Sequence, residues 1–303
     1  MAADRAVAAL PARIAFLGLG LIGGSIALAL RRAGSNARIS AWTPQGRGPG
    51  TGASAGIIDE AARTPAAAVD GAGLIVLAGP PLAVLSTLDE LAGPLRHALA
   101  PNATITDVAS TKVRIVHRAR SLNLPFVGGH PMAGRETAGF GAATADLFDG
   151  RPWVVIDDGE MFQGRRLVMD LAQAVGARSV TMPALDHDAA VAAISHLPLV
   201  LAAALVESVA GAGVGAGGGT GWAAGRSLAA SGWRDMTRLA RGDGDMGAGI
   251  LATNAGPVRD RLVGLRAVLD AWIAELDGDA PDAAPLRARL EQARAVLETE
   301  GRR

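Results

Sequence analysis

The stretch RIAFLGLGLIG, residues 13–23, decides the fold class of this chain. Its apolar start predicts a buried strand over residues 13–18, and the apolar run over residues 22–32 predicts a helix directly behind it. The turn between them follows the pattern G-x-G-x-x-G, whose glycines permit a tight turn, close approach of a pyrophosphate and packing of the helix on the strand. In this strand–turn–helix context the pattern predicts a Rossmann-type domain that binds a dinucleotide.

The end of the second predicted strand, residues 37–42, bears on the choice of cofactor. An Asp or Glu there would hold the ribose hydroxyls of NAD, but none follows this strand directly. Thr43 and Arg47 suit a 2′-phosphate, which favours NADP over NAD by a narrow margin. Alternatively, Arg47 is a solvated charge in the Gly/Pro-rich stretch 46–56, for which we predict a mobile loop. The residues that we expect to contact the cofactor are Gly18, Gly20, Leu21, Ile22, Gly23, Thr43, Arg47, Ala78 and Asp107.

Short apolar runs separated by helix-length segments continue the pattern. We predict further strands over residues 74–78, 104–108, 124–127, 153–156 and 179–182. Strands that alternate with helices predict a parallel sheet covered on both faces, and therefore an α/β domain over residues 1–183.

The pattern changes at residue 184, and no strand is predicted from there to residue 303. Ala/Leu/Val-rich segments with helical spacing predict an all-helical domain, interrupted by a flexible loop over residues 211–221. Residues 191–209 are apolar all round, which favours burial against a second subunit. We therefore expect a homodimer.

The composition excludes several classes of partner. Basic and acidic residues both number 29, which gives no electrostatic case for nucleic acid or anionic membranes. The chain has no cysteine, so disulfides, thiolate metal sites and cysteine nucleophiles are excluded, and we expect no metal. We find no signal-peptide pattern and no membrane-spanning apolar run free of charge and helix breakers, so we expect a cytoplasmic protein.

His130 lies in the run GGHPMAG, residues 128–134. The two preceding glycines let the backbone turn sharply, and Pro131 fixes one dihedral after the imidazole. An imidazole can accept a proton near neutral pH, so His130 is a candidate base; the alternative is an ordinary loop histidine. Lys112 is the only lysine, and an ordinary surface position would accept arginine equally well, so we predict a role near a site.

Five motifs together resemble the prephenate and arogenate dehydrogenases of tyrosine biosynthesis, over about residues 13–277. They are GLGLIGGS (18–25), TDVASTK (106–112), GGHPMAG (128–134), DHDAAVAAISHLP (186–198) and SGWRDMTR (231–238). The resemblance implies oxidation of a cyclohexadienol at C4 by hydride transfer to a nicotinamide, with loss of the ring carboxylate as CO₂.

The resemblance also implies roles for individual residues. His130 corresponds to the histidine that accepts a hydrogen bond from the 4-hydroxyl, and Ser110 to a serine that orients it. Arg238 corresponds to an arginine that binds the substrate carboxylate, a task suited to its planar set of donors. The other residues expected to contact substrate are His196, Ser195, Asp235 and Glu136. For His196 the alternative is a buried structural histidine, and for His187 we expect a part in starting its helix.

Two positions bear on the substrate. Many prephenate-using relatives have a second histidine where this chain has Leu199, whereas the acid Glu136 is typical of prephenate-using relatives; the balance favours arogenate narrowly. Two alternatives stay open: another two-domain reductase, such as a β-hydroxyacid dehydrogenase or an imine-reducing enzyme, or a dinucleotide-binding redox sensor without catalysis.

Overall fold

The structure, a computed structural model, describes residues 6–159, 162–211 and 222–300. The chain divides into two compact units, one ending at Pro257 and one beginning at Val258. The strands in the described residues are β1 (Arg13–Leu17), β2 (Arg38–Trp42), β3 (Glu60–Ala61), β4 (Leu74–Leu77), β5 (Thr104–Asp107), β6 (Phe126–Val127), β7 (Gly129–Pro131), β8 (Pro152–Ile156) and β9 (Arg178–Met182).

The helices in the described residues connect these strands and then follow them. They are α1 (Leu21–Arg32), α2 (Arg47–Ser54), α3 (Pro65–Val69), α4 (Pro81–Ala92), α5 (Val113–Ser121), α6 (Phe162–Ala174), α7 (Ala184–Val191), α8 (Leu197–Ala210), α9 (Trp222–Leu228), α10 (Ser231–Met236), α11 (Gly244–Thr253), α12 (Ala255–Glu275) and α13 (Ala283–Glu300). A π-helical segment, Ala192–His196, joins α7 to α8, and short 3₁₀ turns occupy Arg96–Ala98, Phe140–Ala142 and Arg238–Arg241.

The main sheet is parallel, in the order β3-β2-β1-β4-β5-β6, which confirms the predicted Rossmann-type fold. Its central strands, β1 and β4, are apolar apart from Arg13 at the start of β1, because both of their faces are covered. Ile14 and Phe16 of β1 lie in one core, whereas Ala15 and Leu17 lie in the core on the opposite face. The parallel arrangement brings the carboxyl ends of all these strands to one edge.

The last two predicted strands do not extend the main sheet. Together with β7 they form a second sheet in the order β7-β8-β9, with β7 antiparallel to β8 and β8 parallel to β9. Alternation of strands and helices cannot reveal this division, because β7 has only three residues and two glycines precede its histidine.

The loop predicted over residues 46–56 is wrong, because residues 47–54 form helix α2. This helix has three glycines and a proline, so its propensity is poor. Packing supplies the missing stability: a Cβ on Gly48 would lie 2.1 Å from the carbonyl oxygen of Leu19, so only glycine lets α2 lie this close to the glycine turn. The loop predicted over residues 211–221 lies outside the described residues except for Gly211.

From Ala184 onwards the described residues contain helical segments and no strand, as predicted. Pro198 in the first turn of α8 has no amide to donate to the carbonyl four residues back, which accounts for the π-helical turn immediately before it. By length and composition the stretch 184–210 could cross a membrane, although it is not free of charge and helix breakers, since it contains Pro198 and Glu207. Only 22% of its most apolar window is buried within the chain.

The unit that begins at Val258 contains most of α12 and all of the described part of α13. Within it, the guanidinium of Arg289 lies 4.8 Å from the ring centroid of Trp272 and 3.3 Å from a carboxylate oxygen of Glu275. Several large apolar side chains of this unit are exposed in the single chain, including Ile273 and Leu297.

Candidate active site

Five predicted site residues follow five different strands of the main sheet at its carboxyl edge. Gly18 follows β1, Thr43 follows β2, Ala78 follows β4, Ser110 lies shortly after β5, and His130 lies shortly after β6. Leu17 at the end of β1 is in register with the last residues of both β2 and β4. Open parallel sheets bind ligands outside the carboxyl ends of their strands, so this edge is the candidate site.

The glycine turn has the geometry of a phosphate cradle. Gly18 has φ +108°, and a Cβ there would lie 2.6 Å from the backbone carbonyl of Ala78. A Cβ on Gly23 would lie 2.6 Å from the carbonyl oxygen of Gly18, so these two glycines are required by the protein's own packing. A Cβ on Gly20, in contrast, would meet nothing within 4 Å. Gly20 therefore leaves open space before the first amides of α1, the place where a helix N-terminus offers donors to an anion.

Thr43 and Arg47 lie in the turn that enters α2. The carbonyl of Thr43 accepts a hydrogen bond from the Gly46 amide at 3.0 Å, and Thr43 is partly buried whereas Arg47 is exposed. Since Gly48 packs on Leu19, this turn lies beside the glycine turn rather than in a free loop.

His130 is the central residue of β7, in register with Val154 of β8, and it is partly exposed. Its Nδ1 lies 2.9 Å from Nε2 of His187, and the two rings are nearly perpendicular, at 77°. Burial, followed by the charges of His187, Lys112 and His196, lowers the pKa of His130 well below its usual 6.5. The imidazole is therefore neutral at neutral pH and available to accept a proton.

Lys112 and Asp107 form a fully buried ion pair directly behind β7. Nζ of Lys112 also donates to the carbonyl of Gly129 at 2.8 Å, and Asp107 accepts the amides of Gly129 and Ala109 at 3.1 Å each. Burial raises the pKa of Asp107 and lowers that of Lys112, and the attraction within the pair opposes both shifts. With its oxygens occupied inside the protein, Asp107 faces β7 rather than solvent.

Asp188 links α7 to the start of α5. Its two carboxylate oxygens accept the backbone amides of Lys112 at 2.7 Å and Val113 at 2.8 Å, at the positive end of the helix dipole. One of these oxygens also lies 2.7 Å from Nδ1 of His187. His187 lies in the first turn of α7, which begins at Ala184: its amide donates to the carbonyl of Pro183 at 3.0 Å, and its ring contacts His130 and Asp188.

His196 lies at the end of the π-helical segment and is 1% exposed. Nδ2 of Asn254 donates to the backbone carbonyl of Asp188 at 2.8 Å and lies 3.0 Å from Nδ1 of His196. Because this amide nitrogen is a donor, Nδ1 of His196 is the acceptor and Nε2 carries the proton. Nε2 has no hydrogen-bond partner among the described residues. Burial lowers the pKa of His196 to about 4.

Arg238 forms an ion pair with Glu136, six residues beyond His130, and both side chains are exposed. The 3₁₀ turn that begins at Arg238 packs on α8, so this pair joins the segment after β7 to the helical region. Ser195 and Asp235 are exposed. Ser110 is partly exposed between buried neighbours.

The sequence predicts a place near a site for Lys112 and a part in starting a helix for His187, but it assigns no role to Asp188 or Asn254. The signals were the charged pair that flanks His187 in Asp-His-Asp and the choice of lysine in a chain that otherwise uses arginine. Neither signal specifies a partner, because the contacting segments are far apart in sequence.

A Rossmann-type sheet with a glycine turn and a neutral histidine at one edge defines a dinucleotide-dependent oxidoreductase. Comparison with known proteins names the family: a model for the prephenate dehydrogenase nucleotide-binding domain matches residues 26–181, and one for the prephenate dehydrogenase dimerization domain matches residues 183–289. The chain belongs to the prephenate dehydrogenase family. This membership decides against the redox sensor and the other reductase classes.

Individual relatives agree with this assignment. Prephenate dehydrogenase of Bacillus subtilis is 33% identical over 87% of this chain and 68% of its own length. The crystal structure of Synechocystis arogenate dehydrogenase is 30% identical, with a TM-score of 0.72 over 95% of this chain and 98% of that one. Prephenate dehydrogenase of A. aeolicus, in complex with hydroxyphenyl propionate and NAD⁺, has a TM-score of 0.79 over 96% of each chain; at 24% identity it shows the shared fold.

Proposed function

We propose that this chain oxidises prephenate, L-arogenate or both, with loss of the ring carboxylate as CO₂ and transfer of hydride to a nicotinamide dinucleotide. The product is 4-hydroxyphenylpyruvate from prephenate and L-tyrosine from arogenate. Family membership supports the reaction class. The observation that carries the proposal is the neutral, partly exposed His130 at the sheet edge that also holds the glycine turn.

The chain's own residues handle the proton and the orientation. Nε2 of His130 accepts the proton of the 4-hydroxyl as C4 loses hydride, and Ser110 hydrogen-bonds near the same hydroxyl and orients the imidazole. When bound, the nicotinamide dinucleotide supplies the hydride acceptor. Loss of CO₂ then leaves its electron pair in the ring and gives the aromatic phenolate, which takes the proton back from His130, so the 4-hydroxyphenyl product forms and the imidazole is neutral again.

Substrate recognition falls to the helical region and the segment after β7. Arg238 binds the side-chain carboxylate of the substrate, with Glu136, Asp235 and Ser195 lining the polar end. The pair between Arg238 and Glu136 is exposed, and such pairs stabilise by about 1 kcal/mol at most, so a substrate carboxylate can share or replace it. The unpaired Nε2–H of buried His196 is a donor that a substrate oxygen would satisfy.

The finer specificity rests on single residues. Leu199 in place of a second histidine favours arogenate, and Glu136 favours prephenate, so we propose arogenate by a narrow margin. For the cofactor we propose NADP over NAD, again narrowly, because Thr43 and Arg47 follow β2 and no carboxylate does. We assign the pyrophosphate to Gly18, Gly20, Leu21, Ile22, Gly23 and Ala78, and to Asp107 an indirect role through β7.

We propose that a second copy of the chain covers the apolar helices. Residues 1–183 then form the dinucleotide-binding domain and residues 184–303 the substrate and dimerisation domain. Leu185 and Ile194 are 73% and 68% exposed in the single chain. The family model over residues 183–289 is described as a dimerization domain, which supports a homodimer rather than a membrane span. We propose that this homodimer is cytoplasmic. A monomeric mass by light scattering would contradict this.

The decisive assay follows reduced-nicotinamide absorbance with prephenate or arogenate and with NAD⁺ or NADP⁺. We expect turnover with at least one substrate and release of one CO₂ per hydride transferred. His130→Gln is the negative control, since it removes the base and leaves the glycine turn intact. Absence of turnover in all four combinations would reject the proposed function.

A further inference from the structure

We propose that His187 and Asp188 form a relay behind His130 that fixes the tautomer of its imidazole and stabilises it once it has taken the substrate's proton. His187 is thus a positioning residue for the base. The kinetic consequence rests on the proposed function, whereas the tautomer does not.

The three side chains form a continuous hydrogen-bonded row. Nδ1 of His130 lies 2.9 Å from Nε2 of His187, and Nδ1 of His187 lies 2.7 Å from a carboxylate oxygen of Asp188. His187 and Asp188 are each 1% exposed, so water does not compete for these bonds.

The direction of the row follows from its buried end. Asp188 accepts the amides of Lys112 and Val113, so its carboxylate is an acceptor and Nδ1 of His187 must be the donor to it. In a neutral His187, Nε2 is then a bare acceptor. His130 must therefore donate from Nδ1, which leaves the lone pair on its Nε2 for the substrate hydroxyl.

The same row stabilises the product of proton transfer. After Nε2 of His130 has accepted the hydroxyl proton, the imidazolium donates from Nδ1 to His187, whose opposite nitrogen donates to the Asp188 carboxylate. No proton leaves the row in this step. The positive charge on His130 is thereby separated from the buried carboxylate of Asp188 by only the ring of His187, and this carboxylate stabilises it.

Lys112 contacts both ends of the row and so fixes the position of Asp188 relative to the strand that carries His130. Its backbone amide binds Asp188, and its Nζ binds the carbonyl of Gly129, the residue before His130. The fully buried side chain reaches this carbonyl and Asp107 with a compact ammonium, where a planar guanidinium would need more space. This accounts for the one lysine in the chain.

Nitrogen NMR tests the tautomer without substrate. The chain has five histidines, so ¹⁵N-histidine labelling gives few ring signals, and His130→Gln identifies those of His130. We expect wild-type His130 to carry its proton on Nδ1, and His187→Leu to remove this preference. A proton on Nε2 of His130 in the wild-type protein would overturn the relay.

Kinetics test the consequence. We expect His187→Leu to lower kcat by about 10²-fold, with the Kd of the dinucleotide within about threefold of wild type. His187→Gln, whose amide oxygen can accept from Nδ1 of His130, should recover about tenfold of this loss and leave kcat about tenfold below wild type. His117→Leu makes the same change at an exposed position of α5 and should leave kcat unchanged.

The outcomes separate the two proposals. A folded His187→Leu variant that turns over within about threefold of wild type would overturn the relay. If His187→Leu does not fold, the relay is tested by the position of the His130 proton in the wild-type spectrum and by the kcat of His187→Gln. A wild-type enzyme that turns over neither substrate would reject the proposed function, while the NMR result would still accept or reject the fixed tautomer.

Discussion

The glycine turn and the histidine cluster, which comprises His130, His187, Asp188, His196 and Asn254, are built in opposite ways. The glycine turn is one contiguous segment whose function depends on backbone shape and on the absence of Cβ atoms. The cluster joins the partly exposed His130 of β7 to buried side chains from α7, the π-helical segment and the residue after α11.

This difference separates binding from chemistry. A change in the glycine turn should alter dinucleotide affinity, because it changes the space that a phosphate occupies. A change in the cluster should alter turnover and acid stability, because it changes where protons reside. Variants in each region therefore show whether the two are independent.

The largest effect is expected for His130→Gln, which removes the base and keeps a polar side chain. We expect kcat to fall roughly 10²–10⁴-fold, the usual range for loss of an acid–base group, while the Kd of the dinucleotide changes by less than about threefold. Steady-state kinetics and a binding titration measure the two quantities. Near-normal kcat would remove His130 from the mechanism, and a parallel loss of dinucleotide affinity would show that the regions are coupled.

In the glycine turn, Gly20→Ala should weaken dinucleotide binding by about 10²-fold, because its methyl group would occupy the space we assign to the pyrophosphate. Its free energy of unfolding should stay within about 1 kcal/mol of wild type, since a Cβ there meets nothing within 4 Å.

Gly18→Ala is the matched control for Gly20→Ala. Its φ of +108° and its 2.6 Å approach to Ala78 predict a loss of about 2–4 kcal/mol in unfolding free energy. Binding titrations and urea unfolding distinguish the two variants. Equal destabilisation of both would show that Gly20 serves packing rather than a ligand.

The acid stability of the cluster gives a smaller effect. The unfolded chain protonates His196 at its ordinary pKa near 6.5, whereas burial lowers the pKa in the folded chain to about 4. Stability is therefore lost as the pH falls from the first value towards the second. Between about pH 7 and about pH 5 the loss from this group amounts to about 2 kcal/mol.

Urea unfolding at both pH values checks this expectation. His196→Gln should lose less stability than wild type over the same interval by about that amount, because glutamine does not titrate. If wild type and His196→Gln respond equally to acid, His196 is not held neutral by the fold.

The sequence predicts the glycine turn but not the cluster, for a physical reason. Residues 18–23 act through local backbone geometry, so their spacing alone carries the information. His130 and His187 are 57 positions apart, and only the folded chain brings their rings together. Helix α2 was missed for the same reason, because its stability comes from Gly48 packing on Leu19 and not from its own propensity.

The smallest effect concerns Arg47, at the edge of the dinucleotide site. If its exposed guanidinium meets a 2′-phosphate, Arg47→Ala should lower the preference for NADP⁺ over NAD⁺ by about tenfold in kcat/KM, and mainly through KM. Arg178→Ala, at an exposed arginine at the start of β9, is the control and should leave the preference unchanged.

Because the contact between Arg47 and a 2′-phosphate would be between exposed charges, the wild-type preference for NADP⁺ should also weaken as salt is added. A preference that responds neither to Arg47→Ala nor to salt would make Arg47 a solvated surface charge, and the choice of cofactor would then rest on Thr43 and the shape of the turn.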